Sequence, residues 1–168
     1  MLLGAIGIVY LNRAPEQPIT THTESAVPVQ VDFPAPDLKL VGLQGEPVAL
    51  ADFAGQVVLI NNWATWCPPC QKEMPDLQAY YLDHQKQGFS VIAIESGEPA
   101  AEVAGFVQEY GLTFPVWIDE GERAIDSFHN LGLPSSYLVD RGGQVRLAWN
   151  GAISREMLES YVTPLVEE

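Results

Sequence analysis

Cysteine and basic side chains are both scarce in this sequence. Its 168 residues include two cysteines, and eight Lys or Arg against 22 Asp or Glu give a formal net charge of −14. A surface this acidic repels a phosphate backbone, so nucleic acid is not an expected partner. Two cysteines are too few for the disulfide framework of a small secreted domain. A single close pair instead indicates half of a metal site or a redox centre.

The N-terminal residues also lack an apolar run of about 20 residues, the length that a membrane-spanning helix needs. Residues 1–11 are almost wholly apolar, but they are too few and have no preceding basic residues. We interpret residues 1–11 as a truncated membrane anchor and residues 12–30 as a linker; a loosely packed tail is the alternative. Residues 31–168 are then long enough for one domain.

Apolar runs alternate with segments of helical periodicity in this domain. Residues 57–60 and 89–94 are continuous aliphatic runs, typical of strands buried on both faces. Hairpins are predicted over residues 38–50 and 136–149, and a single helix over residues 154–166. Strands that alternate with helices favour an α/β fold with a mainly parallel sheet.

The two cysteines follow the first of these buried strands, where a helix is expected to begin. Helix N-termini carry unpaired N–H groups and the positive end of the helix dipole, which stabilise a thiolate. We therefore predict that Cys67 is the nucleophile and that Cys70, one turn deeper on the same face, is the resolving thiol. Pro68 and Pro69 suit the first helical turn because its amides have no intrahelical acceptor.

Half of a zinc site is the alternative interpretation of a Cys-x-x-Cys pair. Zinc needs two further ligands, and the three histidines, His22, His84 and His129, lie far apart in the chain with no paired spacing. The sequence therefore predicts no metal, and no cofactor other than a redox-active disulfide between Cys67 and Cys70.

Residues 61–70 (NNWATWCPPC) and 73–75 (EMP) resemble the TlpA/ResA/CcmG group of thioredoxin-like proteins, which are AhpC/TSA-redoxin-like. The likeness continues through residues 133–140 (LPSSYLVD) to the C-terminal helix. It implies an α/β thioredoxin fold, a central mixed β-sheet flanked by helices, with an N-terminal β-hairpin and a central βα insertion.

The same resemblance implies how and where the protein works. It indicates a bacterial thiol–disulfide oxidoreductase in the periplasm or on the outer face of the cytoplasmic membrane, tethered there by its N-terminus. Members of the group usually act as reductases of protein disulfides, often in cytochrome c maturation. The expected partners are protein thiols and disulfides, apocytochrome c among them, and a membrane electron donor.

The resemblance also implies which residues surround the dithiol. Pro134 corresponds to the cis-proline that faces the dithiol in thioredoxin folds, which leaves the backbone of Leu133 available to pair with an extended substrate. Trp66, Pro68 and Pro69 flank the cysteines and are expected to contact the substrate as well.

One acidic residue is expected to move a proton. Ordinary thioredoxins carry a buried Asp in the strand before the motif, but the matching residue here is Asn61, which cannot exchange a proton. By resemblance, Glu98 takes this role after the next strand, at the sheet edge where the cysteines lie. Glu95 is the rival candidate.

Other functions use parts of the same pattern. An oxidase or isomerase would need the same residues and differ in reduction potential, which the sequence does not determine. A non-enzymatic module that binds cysteine-containing apoproteins is a further alternative. A peroxidase is disfavoured because Ala64 stands three residues before Cys67, where peroxiredoxins carry Thr.

Overall fold

A computed structural model describes residues 25–130 and 132–168. The predicted anchor, residues 1–11, and most of the predicted linker lie outside the described residues. Within the described part, no helix is both long and apolar enough to cross a membrane.

The strands of the described chain form one mixed sheet. Their order across the sheet is β1-β8-β7-β4-β5-β6-β2-β3, in which β4, β5 and β6 run parallel and every other neighbouring pair is antiparallel. The strands are β1 (Val29–Pro34), β2 (Lys39–Gly42), β3 (Pro47–Ala49), β4 (Val57–Trp63), β5 (Phe89–Glu95), β6 (Val116–Ile118), β7 (Ser135–Val139) and β8 (Gln144–Asn150). The mixed sheet and its helices confirm the predicted α/β class and thioredoxin fold. The expectation of a mainly parallel sheet was wrong, because five of the seven neighbouring pairs in the described chain are antiparallel.

Helices cover both faces of this sheet. They are α1 (Pro68–His84), α2 (Ala100–Tyr110), α3 (Arg123–Phe128), α4 (Arg155–Tyr161) and α5 (Thr163–Val166), with 3-10 turns at Leu50–Phe53 and Gln85–Gln87. The prediction of one helix over residues 154–166 was wrong, since this segment contains two helices. Pro164 lies in the first turn of α5 and has no N–H to extend the hydrogen bonds of α4.

The central strand β4 directs the chain to the cysteines. All seven of its residues are buried. Leu59 and Trp63 join a core with side chains from α1, α2 and α4, whereas Ile60 joins a second core on the α3 face. Burial on both faces places β4 in the middle of the sheet, so its C-terminal end delivers residues 64–67 to the helix start.

The chain is already packed within the segment predicted to be linker, residues 12–30. The Ala26 amide donates a hydrogen bond to the Ala152 carbonyl (2.8 Å), and the Ser154 amide donates one to Ser25 Oγ (2.8 Å). β1 follows from Val29 and pairs with β8. Most β1 side chains are exposed, so backbone pairing holds the strand and no apolar alternation reveals it in the sequence.

Candidate active site

The two cysteines form a disulfide at the start of α1. Their Cα atoms are 5.2 Å apart. Cys67 is the N-cap of α1, and its sulfur accepts a hydrogen bond from the Cys70 amide at 3.3 Å. Cys67 keeps 3% of its surface exposed, whereas Cys70 keeps none. Substrate can therefore reach Cys67 before Cys70, although even Cys67 is nearly covered in this oxidised state.

Exposed apolar side chains flank Cys67 in the chain. Trp66 is 66% exposed, the most exposed large hydrophobic side chain of the described residues, and Pro68 and Pro69 are exposed as well. These three exposed side chains are the immediate chain neighbours of the nearly buried Cys67.

Pro134 lies at the same edge of the sheet. The Leu133–Pro134 peptide bond is cis, as the resemblance implies. Ser135 pairs with Asn62 near the end of β4, so the two residues before β7 lie level with the segment that leads to Cys67. The Pro134 carbonyl accepts a hydrogen bond from the Gly151 amide at 2.8 Å.

Two side chains hold the loop that precedes Cys67. The Glu98 carboxylate accepts hydrogen bonds from the Thr65 amide (2.7 Å) and from the Thr65 hydroxyl. Gln71, from α1, donates one to the Thr65 carbonyl at 2.6 Å. Every polar group of Thr65 is thus engaged, which fixes the backbone that presents Trp66 and Cys67.

The two carboxyls proposed from the sequence have different environments. Partial burial of Glu98 raises its pKa, but the hydrogen bonds from Thr65 and from Glu95 outweigh this effect and leave the pKa lowered. Glu95 is fully buried, and its Oε2 accepts from the amides of Gly97 (3.0 Å) and Glu98 (2.9 Å). Burial raises the pKa of Glu95 to about 7, and the Glu98 carboxylate raises it as well.

Glu73 is a third acid at the site, and the sequence reasoning gave it no role. It lies one turn after Cys70 in α1 and is 1% exposed. Its Oε1 accepts from Asn61 Nδ2 (2.8 Å) and its Oε2 accepts from the Ile153 amide (3.0 Å). Burial raises the pKa of Glu73 to about 7, while these two hydrogen bonds lower it.

The sequence does contain a pattern that indicates burial of Glu73 on the same face of α1 as Cys70. Residues three or four apart on a helix share a face, so Glu73 falls in one stripe with the buried Cys70 and Leu77. A carboxyl in the buried stripe of a helix needs partners, and Asn61 is one of them. The amide at the position of the usual Asp therefore positions a carboxyl instead of exchanging a proton itself.

No metal cluster competes with the dithiol in the part of the chain that the structure describes. No group of three or more His, Cys, Asp or Glu residues there is arranged to hold an ion.

Thiol–disulfide exchange needs an accessible sulfur that is stabilised as a thiolate and a second sulfur within disulfide reach. The capped helix start carries Cys67, the more exposed of the two cysteines, and Cys70 is within disulfide reach. On this sheet the pair defines a thioredoxin-like thiol–disulfide oxidoreductase. The chain belongs to the AhpC/TSA family, which it matches over residues 31–148.

Similar proteins carry the same activity in their names. A thiol-disulfide oxidoreductase ResA from Geobacillus kaustophilus is 35% identical over 163 residues, which cover 96% of this chain and 88% of the relative. One from Bacillus thuringiensis is 37% identical over 134 residues, 80% of this chain and 78% of the relative. The resemblance stated from the sequence is thereby confirmed, and the protein is an enzyme of thiol–disulfide exchange.

Solved structures give the same fold. A thiol:disulfide interchange protein of the thioredoxin family from Chlorobium tepidum is 26% identical, with a TM-score of 0.73 over 82% of this chain and 99% of its own. A secreted thiol-disulfide isomerase from Corynebacterium glutamicum has a TM-score of 0.78 over 84% of this chain and 93% of its own. At 24% identity, the second supports the fold alone.

Proposed function

We propose that this enzyme is an extracytoplasmic reductase of protein disulfides, tethered to the membrane by its N-terminus. The observation that carries the proposal is the Cys67–Cys70 pair at the start of α1, one turn before the buried Glu73. The resemblance of residues 61–75 to the TlpA/ResA/CcmG group supports the reducing direction and the location. It also supports apocytochrome c as a substrate and a membrane electron donor, which we take to be a dithiol.

In the first step, the reduced enzyme attacks its substrate. The Cys67 thiolate, stabilised by the N-terminus of α1, forms a bond to one sulfur of the substrate disulfide. The substrate S–S bond breaks and its other sulfur leaves as a thiolate. Trp66, Pro68, Pro69 and the backbone of Leu133–Pro134 line this approach and contact the substrate.

In the second step, the buried thiol of Cys70 loses its proton and attacks the sulfur of Cys67. The substrate leaves as a second thiolate, and the Cys67–Cys70 disulfide seen in the structure forms. Two electrons have then passed to the substrate. The donor dithiol returns them by the reverse exchange, and no cofactor or metal takes part.

Glu73 is the proton acceptor that the geometry favours for the second step. On a helix, side chains three residues apart have Cβ atoms about 5–6 Å apart, so the Glu73 carboxyl is a neighbour of Cys70. Burial raises the pKa of a thiol, so an ordinary carboxylate, with its low pKa, accepts its proton poorly. A carboxyl whose own pKa is raised is a better acceptor. The pKa of Glu73, about 7, suits this task at neutral pH.

Glu98, the acceptor inferred from the sequence, is the second proposal for the same role. Its position beside Thr65, two residues from Cys67, supports it. Its lowered pKa makes it the weaker base, and its hydrogen bonds to Thr65 indicate that it positions the loop. Glu95 has the raised pKa that Glu98 lacks and contacts the Glu98 amide, so it remains the rival within this pair.

The reduction potential of the Cys67–Cys70 pair tests the direction. Equilibration in buffers of defined glutathione or dithiothreitol ratio, followed by thiol alkylation, gives its value. We expect a potential nearer to about −270 mV, typical of thioredoxin, than to about −120 mV, typical of a strong oxidant. A value near the second figure would instead establish the oxidase alternative.

A deletion strain tests the location and the substrate. We expect reduced levels of c-type cytochromes, restored by the parent gene but not by Cys67→Ser or Cys70→Ser, and recovery of the protein in the membrane fraction. Full restoration by Cys67→Ser would establish the binding module. Normal cytochrome levels in the deletion strain would remove apocytochrome c as the substrate.

A further inference from the structure

A four-residue loop between β8 and α4 joins three parts of the molecule that are distant in the chain. Its first amide, from Gly151, donates to the Pro134 carbonyl at 2.8 Å. Its third, from Ile153, donates to Glu73 Oε2 at 3.0 Å. This loop, Gly151–Ser154, therefore contacts both the cis-proline segment and the buried acid beside Cys70.

The third partner of the loop is the start of the described chain. Ser25 and Ala26, here called the strap, hold the two loop residues on either side of Ile153. The Ala26 amide donates to the Ala152 carbonyl, and the Ser154 amide donates to Ser25 Oγ, both at 2.8 Å. The amide that binds Glu73 is thus held between two contacts with the strap.

The sheet places the strap at the same end of its strands as the dithiol. β1 and β8 are antiparallel, with Val29 opposite Ala148, so the chain before β1 lies at the end of the sheet where β8 finishes. β8 finishes beside Ser135, which pairs with Asn62 near the end of β4. Ser25 and Ala26 therefore lie at the catalytic edge of the sheet.

We propose that Ser25 and Ala26 are positioning residues for Glu73, which they act on through the loop Gly151–Ser154. The N-terminal segment then has a role in the second step of the exchange in addition to tethering. This inference rests on the proposed function of Glu73. It predicts that a change in the strap alters the ionisation of an acid that the strap does not touch.

The sign of the effect follows from the contact. The Ile153 amide favours the charged form of Glu73, so a looser loop weakens this hydrogen bond and raises the pKa of the acid further. The other polar contact with Glu73 comes from Asn61 of β4. The charged side chains on the adjoining elements are Lys72 and Asp76 in α1 and Arg155 in α4.

The experiment measures the ionisation of Glu73 directly. The oxidised full-length protein is labelled with carboxyl-13C glutamate and titrated by NMR, and the Glu73 resonance is assigned by its loss in Glu73→Gln. The oxidised state is chosen because neither cysteine titrates in it. We expect Ser25→Ala to raise the midpoint by about half a pH unit, a modest fraction of what one hydrogen bond to a charge can supply.

Two variants serve as matched controls. Ser25→Thr keeps the hydroxyl acceptor and is expected to keep the parent midpoint. Val27→Ala changes a neighbouring side chain that is 55% exposed and is also expected to leave the midpoint unchanged. Ala26→Pro, which removes the amide that binds Ala152, is expected to shift the midpoint in the same direction as Ser25→Ala.

The proposal is overturned if Ser25→Ala leaves the midpoint where it is or lowers it, or if Val27→Ala shifts it equally. Its failure is separable from that of the proposed function. If Glu73→Gln leaves the pH dependence of turnover unchanged, Glu73 is not the proton acceptor, whatever the NMR midpoints show. If Glu73→Gln changes that dependence but Ser25→Ala shifts nothing, only the strap is excluded.

Discussion

Asn61 donates a hydrogen bond of 2.8 Å to Glu73, and this contact joins the central strand to the helix that carries the dithiol. The same amide nitrogen also lies 3.0 Å from Ser136 Oγ on the neighbouring strand β7. An amide at this position holds a carboxyl in place without taking part in proton exchange. Strand β4 therefore holds Glu73, the buried acid of α1 that lies one turn after Cys70.

The difference in access between the two sulfurs predicts their order of alkylation. In the reduced protein, we expect iodoacetamide to modify Cys67 at least about tenfold faster than Cys70, because only Cys67 lies at the helix terminus and retains exposure. Mass mapping after a brief treatment near neutral pH measures both rates. Equal modification, or faster modification of Cys70, would reverse the two roles.

Replacement of Glu73 by Gln is expected to slow the resolution of the mixed disulfide by about 100-fold at pH 7.5 and to remove its pH dependence. The parent rate should rise with pH through about 7, as the carboxyl with its raised pKa becomes an acceptor. Stopped-flow single turnovers from pH 5 to 9 measure the rate of mixed-disulfide resolution in both proteins. Glu109→Gln makes the same change on an exposed face of α2 and should match the parent.

Glu73 also makes the stability of the fold depend on pH. Its pKa rises from 4.5 to about 7 on folding, so the folded protein binds this proton more tightly than the unfolded chain does. The resulting contribution of Glu73 to the free energy of unfolding is fully present below about pH 4.5 and is lost as the pH rises through 7. The parent should lose up to about 3 kcal/mol of unfolding free energy over this range from Glu73. In urea titrations at pH 5 and pH 8, Glu73→Gln should show a smaller loss. If both proteins lose the same unfolding free energy between pH 5 and pH 8, ionisation of Glu73 does not destabilise the folded state.

Glu98→Gln separates loop positioning from proton transfer. Gln keeps one acceptor oxygen where the carboxylate has two, so the Thr65 loop should loosen and its amide should exchange with solvent about tenfold faster. Turnover should fall while the rise with pH near 7 remains. If Glu98→Gln removes that rise and Glu73→Gln does not, the proton acceptor is Glu98; Glu95→Gln tests its rival in the same assay.

Arg141 is expected to contribute to stability and not to catalysis. Its guanidinium donates to carbonyls at the opposite edge of the sheet, those of Gly55, Gln87, Gly88 and Val166. Arg141→Ala should lower the melting temperature by about 2–4 °C, which corresponds to about 1 kcal/mol in a chain of this size. Arg141→Lys should recover part of this loss. A fall in turnover at 25 °C without any loss of stability would contradict the assignment.

The local features of the site were predictable because they depend on short-range patterns. The aliphatic run 57–60 and the prolines after Cys67 predict a strand that leads into a helix, and the structure places Cys67 at the N-cap of α1. Resemblance added the cis conformation at Pro134. The hairpin predicted over residues 38–50 is present as β2 and β3.

The fold class and the dithiol were therefore predictable, since hydrophobic periodicity indicates the first and two cysteines three positions apart indicate the second. Helical spacing already puts Glu73 one turn from Cys70, whereas the groups that bind its buried carboxyl depend on the tertiary structure. Asn61 and Glu73 are 12 positions apart, and Ile153 and Glu73 are 80 apart. β1 and the strap are likewise held by backbone bonds to β8 and to the loop after it. Such contacts leave no local pattern, because they form only when the sheet brings distant segments together.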